Sequence, residues 1–304
     1  MLATLKQLLT PAKKKHYAVG AFNVNNLEIL EAIIRAAENL NAPVIIQTSE
    51  GALQYAGFEE LVNMCLFSAK KSKVKVCLHL DHGKDLSIIK KCIKEGYSSI
   101  MIDGSHFEFS ENVRITKKVV SLAHKKNISV EGELGTIGGV EDLVSARKII
   151  YTEPSAAKEF VEKTGVDALA IAIGTSHGAY KFAGQAKLDI ARLKKINKIV
   201  KIPLVLHGAS SVPKWLVEAS ERYGAKLGSP EGVPEQQIVQ SIKQGICKVN
   251  TDTDLRMAFT AAERKVLAEK KEEFDPRKIL GPARDLMQKV VEERIKLFGS
   301  DGKS

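Results

Sequence analysis

Three times in this chain an apolar, strand-like run ends in His-Gly: at His82-Gly83 after Val74–Leu80, at His177-Gly178 after Leu169–Ile173, and at His207-Gly208 after Ile202–Leu206. A strand that stops on His then Gly sets an imidazole at its carboxyl end and lets the chain turn sharply. One such pair means little. Three, on neighbouring parallel strands, would converge at one mouth, and three protein ligands with an open fourth position is how a catalytic zinc ion is held. Other strand ends carry polar groups where a core should have finished: Asn23, Ser49, Asp103, Glu131, Glu133, Asn250, Asp252 and Thr253. Asp81 directly precedes His82, which places a potential proton carrier beside a potential metal ligand.

The chemistry points to a phosphorylated substrate. Gly178-Ala179-Tyr180-Lys181, Gly208-Ala209-Ser210-Ser211 and the Asn250–Thr253 segment each supply backbone amides, hydroxyls or a cation suited to a phosphate dianion. None is a P-loop, so their place after the last three strands is the stronger argument. A metal open to a carbonyl oxygen, beside carboxylates and an anion site, suits enolate chemistry on a sugar phosphate. Hydrolysis by metal-bound water fits the same residues, and the residues alone leave both open.

The elements that must position these groups are legible as eight strand-like runs. They fall near Tyr17–Phe22, Val44–Thr48, Val74–Leu80, Ser98–Ile102, Ile128–Leu134, Ala168–Ile173, Ile202–Leu206 and Ile246–Val249. Most are continuous Val/Ile/Leu/Ala runs, as in parallel strands covered by helices. Amphipathic stretches such as Leu27–Leu40, Phe58–Lys70 and Asn112–Lys125 lie between them. Eight βα units predict an α/β fold, a (β/α)8 TIM barrel with extra C-terminal helices over Asp254–Lys271 and Pro276–Phe298, and one domain spanning 1–304. Leu134–Asp142, continuing to Tyr151, reads as a long glycine-rich lid, and Lys226–Pro234 as a loop of unassigned role.

Composition narrows the classes. The chain has 304 residues, 44% of them hydrophobic, and no apolar run near the roughly 18 residues of a membrane span. Its N-terminus carries no signal-peptide pattern, and Cys65, Cys77, Cys92 and Cys247 are scattered as free thiols would be, so a cytoplasmic location and no membrane partner are expected. The net charge of +10 invites a nucleic-acid reading, but the lysines are dispersed and aromatics are only 6%, so a small polyanionic substrate is the better expectation.

Five motifs in order carry a resemblance: Leu78-His79-Leu80-Asp81-His82-Gly83, Glu131-Gly132-Glu133-Leu134-Gly135, Gly174-Thr175-Ser176-His177-Gly178, Leu206-His207-Gly208-Ala209-Ser210, and Lys248 through Asp254. From Ala18 to about Phe298 the chain resembles the class II, metal-dependent fructose-bisphosphate aldolases, closest to their shorter bacterial branch. The resemblance implies that His82, His177 and His207 hold the catalytic zinc, and that Asp103 and Glu133 can hold a second or displaced metal. It implies that Asp81 exchanges a proton with the C4 oxygen, and that Glu141, rather than Asp142, exchanges the carbon-bound proton of dihydroxyacetone phosphate. Gly178, Lys181, Gly208, Ser210, Asp252 and Thr253 would bind the ketose-side phosphate and Asn250 the enediolate oxygens. Asn23 and Ser49 would lie toward the other end of the substrate, where Arg256 and Arg277 would bind the second phosphate, Arg277 crossing from an adjacent subunit of a homodimer or higher homo-oligomer. A monovalent cation, sodium or potassium, would sit near Gly178 and Ser210. The expected reaction is reversible cleavage of fructose 1,6-bisphosphate; tagatose bisphosphate, Schiff-base aldolase chemistry on Lys181 or Lys248, and RNA binding are the alternatives.

Overall fold

The computed structural model describes residues 1–141, 144–146, 149–177, 187–227 and 230–304. Eight parallel strands close into a barrel: β1 (Val19–Asn23), β2 (Val44–Ser49), β3 (Val76–Gly83), β4 (Ser99–Ile102), β5 (Ser129–Leu134), β8 (Ala168–Ile171), β10 (Leu204–Leu206) and β11 (Ile246–Thr251). A small separate sheet joins β6 (Gly138–Glu141) and β7 (Val144–Ala146), both in the segment read from sequence as a lid, to β9 (Ser176–His177), which follows β8. All eight predicted strands are present, and β1 pairs with both β2 and β11 to close the ring.

Twelve α-helices lie among the described residues: α1 (Leu5–Lys15), α2 (Leu27–Asn39), α3 (Glu50–Ala56), α4 (Phe58–Lys71), α5 (Leu86–Glu95), α6 (Phe109–Ala123), α7 (Pro154–Thr164), α8 (Ile190–Ile199), α9 (Lys214–Arg222), α10 (Glu235–Lys243), α11 (Thr253–Glu269) and α12 (Pro276–Phe298). Local chemistry starts and stops them. The Asn26 and Asp85 side chains accept backbone N–H groups at the starts of α2 and α5, and Gly96, Gly165 and Gly299 end α5, α7 and α12 in the left-handed conformation. No described helix is long and apolar enough to cross a membrane.

Two apolar clusters result. The larger fills the space between strands and helices, while a smaller one lines the inside of the barrel at its amino-terminal end. There α1, unremarked in the sequence, closes the barrel floor: Leu5, Leu8, Leu9 and Ala12 are buried with Val19, Ala21, Ile45 and Cys77. Above this floor the inward-facing positions turn polar, and that change of layer is where the site begins.

Several lysines sit where helix direction puts them. Barrel helices run opposite to their strands, and basic residues favour helix carboxyl ends. Lys70 and Lys71, Lys94, Lys163, Lys198 and Lys243 occupy the last turns of α4, α5, α7, α8 and α10. These six therefore lie at the face opposite the strand carboxyl ends.

If α1 is the plug, Leu9→Ala should cost about 2–5 kcal/mol of stability in denaturant unfolding while leaving bound metal unchanged.

Candidate active site

Adjacent residues of a regular strand point to opposite faces, so Asp81 and His82 could not both enter the barrel from one. The chain solves this with a local irregularity. Asp81 stays in register with Ser49 of β2, whereas toward β4 the pairing jumps from Leu80–Ile100 to Gly83–Ile102. His82 takes a left-handed backbone (φ 46), uncommon for a residue with a side chain and typical of functional positions. The result brings ligand atoms of Asp81, His82 and His207 within 4.8 Å of one another.

His82 and His207 meet edge to face, with Nε2 of His82 only 2.9 Å from Nδ1 of His207. Their outer nitrogens are each tied to a carboxylate. His82 Nδ1 donates to Asp103 at 2.9 Å, with Glu133 3.8 Å away, and His207 Nε2 donates to Glu131 at 2.7 Å. Those bonds fix the ring orientations and aim the inner nitrogens at each other.

Asp81 is held from three directions. Asn23 and Gln47 donate to one carboxylate oxygen at 3.0 and 3.1 Å, and Asn250 donates to the other at 3.2 Å. Burial works to raise its pKa, but the His82 and His207 imidazoles and Lys248 more than offset this, and the carboxyl is pushed below its ordinary value. Asp81 is therefore ionised.

Beneath the mouth lies a charged layer with no solvent exposure. Glu131 accepts from Lys248 Nζ at 2.9 Å; that ammonium is 3.5 Å from His79 Nε2, and His79 Nδ1 meets Ser99 at 2.8 Å. Burial, with Lys248 next, drives the His79 pKa well down, so this ring is neutral. Lys248 is sealed in this ion pair, which removes it as a Schiff-base nucleophile.

Burial alone would lower the His82 pKa, yet the surrounding carboxylates, Asp81 first and then Asp103 and Glu133, raise it to about 10. Burial and Asp103 push Glu133 up to about 8. Two imidazole lone pairs cannot face each other at 2.9 Å with nothing between them. An N–H of one ring donating to the other satisfies this contact, and the raised pKa of His82 favours its ring as the donor.

A divalent cation fits the same place. Asp81, His82 and His207 form one possible ligand group, and His82, Asp103 and Glu133 a second sharing the His82 ring. Buried Glu133 Oε2 and Asn250 Oδ1 have no hydrogen-bond partner among the described residues, as expected where a cation or substrate completes the set. The backbone of His177 reaches this region through β9, paired with Gly139 of β6. The side chains of His177 and Glu141, and residues Asp142, Gly178 and Lys181, lie outside the described residues.

The remaining expected residues sit at strand carboxyl ends, Arg256 and Arg277 excepted. Ser49 ends β2 and accepts from Ala52 N–H; Ser210 accepts from the Asp252 backbone N–H; Asp252 is ion-paired with Arg256 at 2.6 Å; Thr253 opens α11. Arg277, at the start of α12, is 89% exposed and held by Asp275 at 2.8 Å. Sequence reasoning gave no role to Gln47 or His79 and took Lys248 only as a possible nucleophile. The available signal was spacing of two: His79 with Asp81, Glu131 with Glu133 and Lys248 with Asn250 each share the inward face of a strand.

A closed parallel barrel carrying facing imidazoles and a trapped carboxylate at its strand carboxyl ends defines a metal-dependent barrel enzyme. The family model "Fructose-bisphosphate aldolase class-II" matches residues 3–303. A fructose-bisphosphate aldolase of Giardia intestinalis is 51% identical, covering 99% of this chain and 94% of the relative. That of Thermus caldophilus is 47% identical with both chains fully covered. Among solved structures, the YdjI aldolase of Escherichia coli K12 superposes with a TM-score of 0.81 at 35% identity, covering 100% of this chain and 99% of that one. The chain belongs to the class II fructose-bisphosphate aldolases, a zinc-dependent family of lyases.

This geometry has three measurable outcomes. Because His82 has a pKa of about 10 in the metal-free fold against an ordinary 6.5, its contribution to stability is complete below 6.5 and is lost as pH rises toward 10. Thermal unfolding of the metal-free protein should show that decline, and zinc uptake between those pH values should release about one proton, measurable by calorimetry in buffers of different ionisation enthalpy. Glu131→Gln should weaken zinc affinity roughly 10–100-fold in competition with a chromophoric chelator.

Proposed function

We propose that this chain cleaves fructose 1,6-bisphosphate reversibly to dihydroxyacetone phosphate and glyceraldehyde 3-phosphate at the barrel mouth. The observation that carries the reading is the 2.9 Å approach of His82 Nε2 and His207 Nδ1 beside buried Asp81. Zinc would be held by His82, His207 and His177, with Asp103 and Glu133 as ligands for a second or displaced ion. When bound, it supplies polarisation of the ketose carbonyl and takes up part of the charge of the enediolate.

The chain's own residues do the rest. Asp81, ionised and aimed by Asn23, Gln47 and Asn250, accepts the proton of the C4 hydroxyl. The C3–C4 bond then breaks, the aldehyde leaves, and its electron pair remains on the enediolate, whose oxygens Asn250 steadies. Glu141 returns a proton to that carbon to give dihydroxyacetone phosphate. Gly208, Ser210, Asp252 and Thr253, with Gly178 and Lys181, bind the ketose-side phosphate, and Gly178 and Ser210 would hold a sodium or potassium ion. Asn23 and Ser49 face the other end of the substrate. Arg256 and Arg277 bind the second phosphate. The exposed position of Arg277 suits delivery into a partner's mouth in a homo-oligomer. Four buried thiols accord with a cytoplasmic enzyme.

Chelation should abolish cleavage and zinc should restore it, with fructose bisphosphate turned over well ahead of tagatose bisphosphate; turnover after verified metal removal would refute the reading. Borohydride with substrate should trap no adduct. Asp81→Asn should retain zinc but lower kcat by about 10²–10⁴-fold.

A further inference from the structure

The turn between β10 and α9, which carries Gly208 and Ser210, is held from its front by the substrate-side residues already described. It is also held from behind, by the segment just before α10 whose role the sequence left open. Val233 donates its backbone N–H to the Ser210 carbonyl at 3.1 Å. Gly232 lies so close that a Cβ there would stand 2.3 Å from Ser211 C, 2.4 Å from Ser211 O and 2.5 Å from Ser210 O. All three are backbone atoms, so only glycine permits this approach.

The turn needs such support. Val212 has a left-handed backbone (φ 48), costly for a β-branched residue, and persists only where its surroundings impose it. Asp254 accepts its N–H at 2.9 Å. Arg294 of α12, its side chain 5% exposed, reaches both Ser211 Oγ and Glu235, which follows directly on the 230–234 segment. Ser210 is thus fixed on one side by Asp252 N–H at its hydroxyl and on the other by Val233 at its carbonyl.

We propose that residues 230–234 form a rear wall that sets the position of the phosphate-binding turn, with Gly232 as the positioning residue for the phosphate monoester of the substrate. The inference rests on reading Gly208–Ser211 as the phosphate site. A phosphate gripped by backbone amides is sensitive to displacement of a fraction of an ångström, whereas the imidazole of His207 is tied to Glu131 on the barrel's inner face and is decoupled by the left-handed Gly208.

The test is Gly232→Ala, loaded with zinc or cobalt. It should raise KM for fructose 1,6-bisphosphate and weaken inhibition by inorganic phosphate roughly 10–100-fold. Zinc content, the cobalt absorption spectrum and solvent-proton exchange into unphosphorylated dihydroxyacetone should be unchanged. Equal losses with phosphorylated and unphosphorylated substrates, or no loss, would overturn the proposal. Should that variant not fold, Val233→Pro removes the N–H that holds the Ser210 carbonyl, and an unaltered phosphate dependence there overturns it equally. Ser210→Ala separates the two ideas: a phosphate-selective loss in it but not in Gly232→Ala leaves the phosphate site standing and removes the wall. No phosphate-selective loss in Ser210→Ala removes the phosphate site itself.

Discussion

Two imidazole nitrogens aimed at each other across 2.9 Å call for a shared proton or a metal ion between them, and much of the interior is arranged to hold them so. Asp103 and Glu131 hold the outer edges of the two rings, so neither can rotate away from its neighbour. Glu131 is in turn anchored by Lys248, a charge pair buried without exposure and satisfied on both sides. Were Lys248 absent, Glu131 would stand as an uncompensated buried charge, and the His207 ring would lose its fixed orientation. A proton on His82 and a metal ion would compete for that one position.

Much of this was legible in the chain before folding. Parallel strands with helices outside them read as unbroken apolar runs, and each of the eight appeared near its place. Their ends shifted by a few residues: the seventh strand begins at Leu204 rather than Ile202, because Pro203 has no N–H to give a ladder, and the third continues to Gly83. The residues at strand ends were legible because polar groups interrupt those runs. His82, His207 and Asp81 were found by that rule and are brought together.

What escaped the sequence depends on neighbours far apart in the chain. The link from His79 to Glu131 to Lys248 joins three strands, and nothing local in any of them announces it. Gln47, buried behind Asp81 and Asn23, looked like one polar residue in an apolar run. The amino-terminal helix was not read from the sequence at all, and its use as a floor required the barrel to exist first. The glycine-rich lid is partly a small sheet, and the side chain of Glu141 lies outside the described residues.

The irregular register at His82 has a mechanical consequence. Enzymes that assemble a proton carrier and an ion from different strands must tolerate changes in their separation whenever those strands slide. Here a single peptide unit links the two, so its covalent geometry, not the rigidity of the surrounding architecture, limits how far they can drift apart. Thermal breathing of the barrel can loosen the grip on substrate while leaving that spacing almost untouched.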